Sequence, residues 1–313
     1  MNLTDIRDIK ALLARHGFRF SKSMGQNFLI ADWVPRDIAD AAGLDGDCGV
    51  LEIGPGIGPL TVELARRAGR VAAVELDGSL LPILRETLAD CPNVEVIPGD
   101  VMKLDLAQLA SDRFSGLAVK ACANLPYNIT TPVITKLLEA GCFRTITLMI
   151  QREVARRVCA APGDSDCGAF SLFCQYHARC ELLFEVPPDC FLPAPKVTSA
   201  VVRLTPREAP PVEGDKAAMF AVVRAAFAQR RKTLLNGLAS AYGSRFSKEE
   251  LRRIIADCGL PEQVRGERLG LEDFAALARA LEGGAFPEKG LPRGPEHDII
   301  SPNQRKTKGE RIT

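Results

Sequence analysis

The stretch Val50-Leu51-Glu52-Ile53-Gly54-Pro55-Gly56-Ile57-Gly58 decides how the rest of the chain is read. Val50 to Ile53 is a short strand-forming run that stops at glycine, the pattern of a buried strand. Beyond Gly58, Leu60, Leu64 and Ala65 share one helical face, and Gly69 stands where a helix C′ residue is expected. Strand, glycine-rich turn and helix in this order form a nucleotide-binding layout, in which glycines let the backbone approach a ligand and the helix start offers N–H groups. The spacing is G-x-G-x-G, not the G-x-G-x-x-G of a dinucleotide site, so no pyrophosphate is implied.

Three further strands repeat the theme. Val71 to Val74 ends in Glu75, about 20 residues on, where an acceptor for a ribose diol is expected. Val94 to Ile97 ends near Gly99-Asp100; Asp100 is either an acceptor for an adenine amino group or a turn-forming aspartate. Leu117 to Ala123 runs into Asn124-Leu125-Pro126-Tyr127. Pro126 has no N–H for the ladder and pushes Leu125 toward an extended conformation. The Asn124 oxygen and a backbone carbonyl near Pro126 can accept the two N–H bonds of an exocyclic amine, while Tyr127 can stack on its ring. Gly54, Glu75, Asp100 and Asn124 thus fall at the carboxyl ends of four successive strands, the edge at which open α/β sheets bind ligands.

A length of 313 residues predicts two domains. With a net charge of +1, nucleic-acid binding has to come from local basic patches. Ten cysteines without C-x-x-C spacing or a histidine cluster predict reduced thiols and no metal. The N-terminus lacks the basic and apolar regions of a secretion signal, and no apolar run is long enough for a bilayer. The expectation is a cytoplasmic protein away from membranes.

Arg15, Arg19 and Lys22 interleave with Phe18 and Phe20 ahead of Gly25. Thr131-Pro132 reads as a helix cap, with the helix running to Gly141. After a fifth strand, Thr145 to Ile150, a helix carries Arg152, Arg156 and Arg157, the first two on one face. For these cations a solvated surface and an RNA contact both stay open. Leu182 to Val186 and Val197 to Leu204 are two more strands, joined by a proline-dense loop presenting Phe191, either a packing plug or a platform for a base. Thr205 to Pro211 is a linker. Beyond it Phe220, Val223, Phe227, Leu234 and Leu238 read as one face of a helix that contains Arg230-Arg231-Lys232, with Arg231 near the apolar side. Ser247 to Glu250 is a capping box, Gly259-Leu260-Pro261 ends that helix, and Leu271 to Leu281 is the last.

Taken together, Gly25-Gln26-Asn27-Phe28-Leu29, Glu52-Ile53-Gly54-Pro55-Gly56, Asn124-Leu125-Pro126-Tyr127-Asn128, Gln151-Arg152-Glu153-Val154, Phe191-x-Pro-x-Pro-Lys196-Val197 and Gln229-Arg230-Arg231-Lys232-Thr233-Leu234 resemble the ribosomal RNA adenine dimethyltransferases over residues 20–282. The chain departs from that pattern at Cys167-Gly168-Ala169 and at Gly270. The resemblance implies an α/β fold, the Rossmann-like sheet of class I S-adenosylmethionine-dependent methyltransferases, with a small all-helical C-terminal domain. It implies dimethylation of N6 on two adjacent adenosines in a loop near the 3′ end of 16S rRNA within the small ribosomal subunit, and a role in subunit biogenesis. Carried over by motif, Asn27, Leu29, Gly54, Glu75, Asp100 and Asn124 would hold S-adenosylmethionine; Asn124 and Pro126 would hold the target amine; Tyr127 and Phe191 would sandwich the base. Arg152, Arg156, Arg230 and Lys232 would meet RNA. The expected organisation is a catalytic domain over 1–206, a helical RNA-recognition domain over 207–282 and a disordered tail over 283–313, acting as a monomer. Rival readings are a 23S rRNA or DNA adenine-N6 methyltransferase, and an assembly factor in which methylation is secondary.

Overall fold

A computed structural model describes residues 1–19 and 25–283. Lys22 and residues 284–313 of the expected tail lie outside the described residues. The chain forms two compact units: Met1–Ala160 with Phe173–Pro211, and Ala161–Leu172 with Val212 onward.

The first unit runs α1 (Ile6–Arg15), β1 (Phe28–Leu29), α2 (Trp33–Ala41), β2 (Cys48–Ile53), α3 (Pro59–Ala65), β3 (Arg70–Glu75), α4 (Leu81–Thr87), β4 (Val94–Pro98), α5 (Leu106–Arg113), β5 (Ala118–Asn124), α6 (Thr130–Glu139), β6 (Thr145–Gln151) and α7 (Arg152–Cys159). After α8 (Ala169–His177), whose first residues count with the second unit, follow β7 (Ala178–Val186), β8 (Phe191–Leu192) and β9 (Ser199–Pro206). Seven strands form one sheet in the order β4-β3-β2-β5-β6-β9-β7. The first five of these are parallel, and β9 is antiparallel to β6 and β7. All six residues of β2 are buried, as a central strand covered on both faces requires. Strand order reverses at β2, with β3 and β4 on one side and β5 and β6 on the other. The crevice of such a sheet opens at that reversal, outside the carboxyl ends of β2 and β5. A separate two-stranded ribbon pairs Leu29 with Phe191 and Phe28 with Leu192. It ties the N-terminal segment to the proline-dense loop.

The second unit holds α9 (Lys216–Phe227), α10 (Leu234–Tyr242), α11 (Lys248–Asp257) and α12 (Leu271–Gly283). Its core includes Phe220, Val223, Leu238, Leu251 and Phe274. Asp215 caps α9 by accepting from the Ala218 N–H at 2.6 Å, and the Ser247–Glu250 capping box is formed at α11.

Several local expectations are corrected. Arg230-Arg231-Lys232 is not inside a helix: residues 228–233 are a turn between α9 and α10, and Arg231 is exposed rather than packed along an apolar face. The helical spacing of Phe220 to Leu238 continued by coincidence through the break. Thr131 is not a cap, since α6 starts at Thr130, whose Oγ1 donates to the Pro126 carbonyl at 3.2 Å. Segment 161–172 belongs with the helical unit because the Gly163 N–H donates to the Glu267 carbonyl at 2.6 Å. The Arg230 guanidinium also donates to the carbonyls of Ser165 at 2.8 Å and Cys167 at 3.4 Å. Gly69 is not a left-handed helix end. Its N–H pairs with the Cys48 carbonyl at 3.0 Å, and a Cβ there would lie 2.2 Å from the Gly46 carbonyl oxygen. Close backbone approach, not a turn, selects glycine at 69. Gly69→Ala must therefore displace the backbone entering β2 or β3. We expect a loss of about 1–3 kcal/mol, read as a lower midpoint in chemical denaturation; an unchanged midpoint would refute the close approach.

Candidate active site

Gly54, Gly56 and Gly58 all take left-handed backbone angles, with φ of 68°, 62° and 93°, which other residues adopt only under strain. Gly54 donates its N–H to the Val74 carbonyl at 2.9 Å, so the turn leaves β2 while still stitched to β3. The turn floors a cavity of about 1110 Å³, open solvent at its mouth included. The segments 25–29, 52–57, 74–76, 99–101 and 124–129 line it, together with Phe191. Asn27, Leu29, Gly54, Glu75, Asp100, Asn124, Pro126, Tyr127 and Phe191 are thus brought around one space.

Glu75 closes β3 and is 5% exposed. Its carboxylate accepts from the Asp77 N–H at 2.8 Å and the Gly56 N–H at 3.4 Å. Burial pushes its carboxyl above the ordinary range, and these backbone donors work against that. Asp77 in turn accepts from Gln26 Nε2 at 2.6 Å, latching the N-terminal segment to the end of β3. Asp100 is a turn-forming aspartate that also lines the cavity: Oδ1 accepts from the Met102 N–H at 2.9 Å, capping a short 3₁₀ turn. From α6, Lys136 Nζ donates to the Met102 carbonyl at 2.9 Å and braces that turn.

At the end of β5 the Leu125 N–H donates to the Met149 carbonyl at 3.1 Å. The Pro126 carbonyl accepts from both the Ile129 N–H and Thr130 Oγ1, each at 3.2 Å. Both of its lone pairs are engaged, so it is not free for a substrate amine. Among the described residues no hydrogen bond reaches the Leu125 carbonyl or the Asn124 side chain, and both residues line the cavity. The Tyr127 hydroxyl lies 2.7 Å from Ser199 Oγ. Phe191 is 3% exposed and packs with Leu29 and Val34, so it is a core residue with one side on the cavity.

Sequence reasoning passed over Glu52. It is 1% exposed, and its Oε2 is buried with no hydrogen-bond partner. Burial pushes its carboxyl up to about 8, so it holds a proton at neutral pH. The available signal was an acid inside an otherwise apolar strand.

The expected RNA contacts lie elsewhere. Arg152 and Arg156 are half-exposed on α7 and share Glu185 of β7 at 3.2 and 3.7 Å. Arg230 supports the 163–168 loop, while Lys232 is exposed. No helix among the described residues is long and apolar enough to cross a membrane.

The family model of the ribosomal RNA adenine dimethylases matches residues 17–268. The chain belongs to this family. It is a ribosomal RNA adenine dimethyltransferase with the α/β fold of the class I methyltransferases. It is 48% identical over 276 residues to ribosomal RNA small subunit methyltransferase A of Geobacillus thermodenitrificans, covering 87% of this chain and 94% of the relative. Its counterpart of the same name in Clostridium perfringens is 45% identical over 286 residues, covering 90% and 98%. Among solved structures, the 23S rRNA methyltransferase ErmE matches with a TM-score of 0.64 at 28% identity, covering 82% of this chain and all of that one. A dimethyladenosine transferase from Plasmodium falciparum matches with a TM-score of 0.65 at 26% identity, covering 80% and 95%.

In this dimethyltransferase the protonated Glu52 has a consequence for stability. A carboxyl raised from 4.5 to about 8 binds its proton more tightly folded than unfolded. Its contribution is therefore present at low pH and lost as pH climbs through about 8. Cys122, opposite Glu52 on β5, and Glu75 on β3 are the neighbouring titratable groups. Glu52→Gln should remove this term, of the order of a few kcal/mol. Between pH 5 and 9 the wild type should lose melting temperature relative to the variant; parallel curves would show that Glu52 is ionised throughout.

Proposed function

We propose that this enzyme moves methyl groups from S-adenosylmethionine to N6 of two adjacent adenosines in a loop near the 3′ end of 16S rRNA, two methyls on each, in the small subunit or its precursor. The observation that carries the reading is that Asn124-Leu125-Pro126-Tyr127 and the Gly54, Glu75 and Asp100 strand ends line one cavity at the strand-order reversal. Relatives at 45–48% identity over most of the chain are named for the small subunit, which favours that target over 23S rRNA. A role in subunit assembly is compatible with the same binding. We place the reaction in the cytoplasm, on a monomer.

The residues present fit the cofactor. Glu75 supplies a carboxylate held by two backbone donors, suited to ribose hydroxyls. Asp100 suits an adenine amino group, and the left-handed turn at Gly54 lets main chain approach closely. The orphaned Glu52 oxygen marks unspent polar capacity in the cavity wall. Asn27 and Leu29 close the same space from the N-terminal segment. When bound, the cofactor supplies a methyl group on a sulfonium, already a strong electrophile.

What the protein adds is grip and aim. An aryl amine is a poor nucleophile because its lone pair is delocalised into the ring. Asn124 Oδ1 and the Leu125 carbonyl accept its two N–H bonds and favour a more tetrahedral nitrogen. The Leu125 carbonyl takes the role expected near Pro126, because the Pro126 carbonyl is occupied. Tyr127 and Phe191 hold the base, which has to leave its stack, a step made easier by an unpaired loop. After transfer the nitrogen is cationic and sheds its proton to water, so no dedicated base is needed at attack. Arg152 and Arg156 would exchange Glu185 for phosphate. In the helical unit Lys232 is the freer cation, because Arg230 holds a loop in place.

Incubation with small subunits lacking this modification should give two adjacent dimethyladenosines near the 16S 3′ end, mapped by primer extension and mass spectrometry; label appearing in 23S rRNA instead would overturn the assignment. Glu75→Ala removes charge-assisted bonds, typically worth about 1.5–3 kcal/mol. S-adenosylmethionine binding by calorimetry should weaken about ten- to a hundredfold, and wild-type affinity would reduce Glu75 to a structural acid.

A further inference from the structure

Ser199 opens β9 and is fully buried. It sits opposite Gln151 of β6 on one side and Val186 of β7 on the other. The preceding carbonyl, that of Thr198, accepts from the Arg152 N–H at 3.0 Å. Ser199 is therefore located by three elements at once. Its Oγ lies 2.7 Å from the hydroxyl of Tyr127, 72 residues earlier in the chain. Each of these hydroxyls answers the other's need for a partner away from water.

The consequence falls on the Tyr127 ring, which lines the cavity. Its main-chain end is fixed by the turn in which the Ile129 N–H and Thr130 Oγ1 both bond the Pro126 carbonyl. Its far end is fixed by Ser199. The tilt of the ring is thus set by the sheet rather than by the loop that carries it. An apolar residue would suit the packing around Ser199, where Val186 and Val201 are buried, so the hydroxyl is explained by the phenol it meets.

We propose that Ser199 is a positioning residue for methyl transfer, holding the Tyr127 ring at the angle that presents the adenine amine to Asn124 and the Leu125 carbonyl. This rests on the reading of Tyr127 as the surface on which the base lies. A ring hinged at one end would still stack but would present the amine over a range of angles, and misplacement on that scale slows transfer by about ten- to a hundredfold.

The test is a cycle of wild type, Ser199→Ala, Tyr127→Phe and the double variant. Single-turnover methylation of small subunits is measured at saturating S-adenosylmethionine, alongside cofactor affinity and melting temperature. We expect both single variants to slow transfer by about ten- to a hundredfold. The double variant should be no slower than either single one, because one bond has been removed from two ends. Cofactor affinity should stay at the wild-type value. Independent, multiplying losses, or a wild-type rate in folded Ser199→Ala, overturn the proposal. If Ser199→Ala does not fold, Tyr127→Phe alone decides, and a wild-type rate there is fatal. Tyr127→Ala separates the two claims. If that variant is slow while Ser199→Ala is fast, only the Ser199 assignment falls; if it too is fast, the base-stacking reading falls with it.

Discussion

Everything at the candidate site depends on β2 being held in parallel register between β3 and β5. Glu52 stands beside Ala73 and Cys122 in that register, and Ile53 beside Val74. Because the strands are parallel, their carboxyl ends emerge along one edge, and because order reverses at β2, the turns leaving β2 and β5 diverge there. A one-residue slip of β2 would turn Glu52 and Ile53 to opposite faces. That would remove the acid from the cavity and carry Gly54 out of reach of the Val74 carbonyl. The burial of every β2 residue guards against such a slip.

The site places acid groups in an almost neutral chain. Glu52, Glu75 and Asp100 line one cavity, and they are stabilised to different extents. Glu75 has two backbone donors and Asp100 has the Met102 N–H, whereas Glu52 has an oxygen with none. Desolvating a carboxylate at that position is costly, so Glu52 takes up a proton instead. Glu75 and Asp100 are set to accept hydrogen bonds, while Glu52, as an acid, has one to give. The cavity wall therefore combines two acids placed to accept with one that keeps its proton.

Much of this was legible in the sequence, for reasons that can be named. Glu75 and Asn124 could be placed because a strand that ends in a polar residue before a turn brings that residue to the sheet edge, and a parallel sheet collects such edges. The capping box at Ser247 was legible because its two partners are three residues apart. What escaped was whatever depends on partners distant in sequence. The hydrophobic spacing of Phe220 to Leu238 fits one helix or two, and only the folded chain shows the turn at 228–233. Glycine at 69 looks the same whether it serves a left-handed turn or a close approach; the Gly46 carbonyl that decides between them is 23 residues earlier. Segment 161–172 carries no marker of belonging with helices that begin at Lys216. Phe191 fits a plug or a platform equally well in sequence; the packing becomes visible only once β8 pairs it with Leu29 beside the cavity.

The Pro126 carbonyl shows why a motif's residue types do not by themselves assign its atoms. A rigid proline at the end of β5 invites the idea that its own carbonyl receives the amine. Yet the chain has to turn from β5 into α6 within the residues between Asn124 and Thr130, and a tight turn spends carbonyls on closing itself. The carbonyl that closes this one is that of Pro126, through Ile129 and Thr130. Leu125 is held by its N–H to Met149 on the neighbouring strand, which leaves its carbonyl available one residue upstream. Pro126 then acts indirectly, through the extended conformation it imposes on Leu125 and through the stiffness of the turn. The proline therefore contributes shape, and the carbonyl left open is that of the residue it shapes.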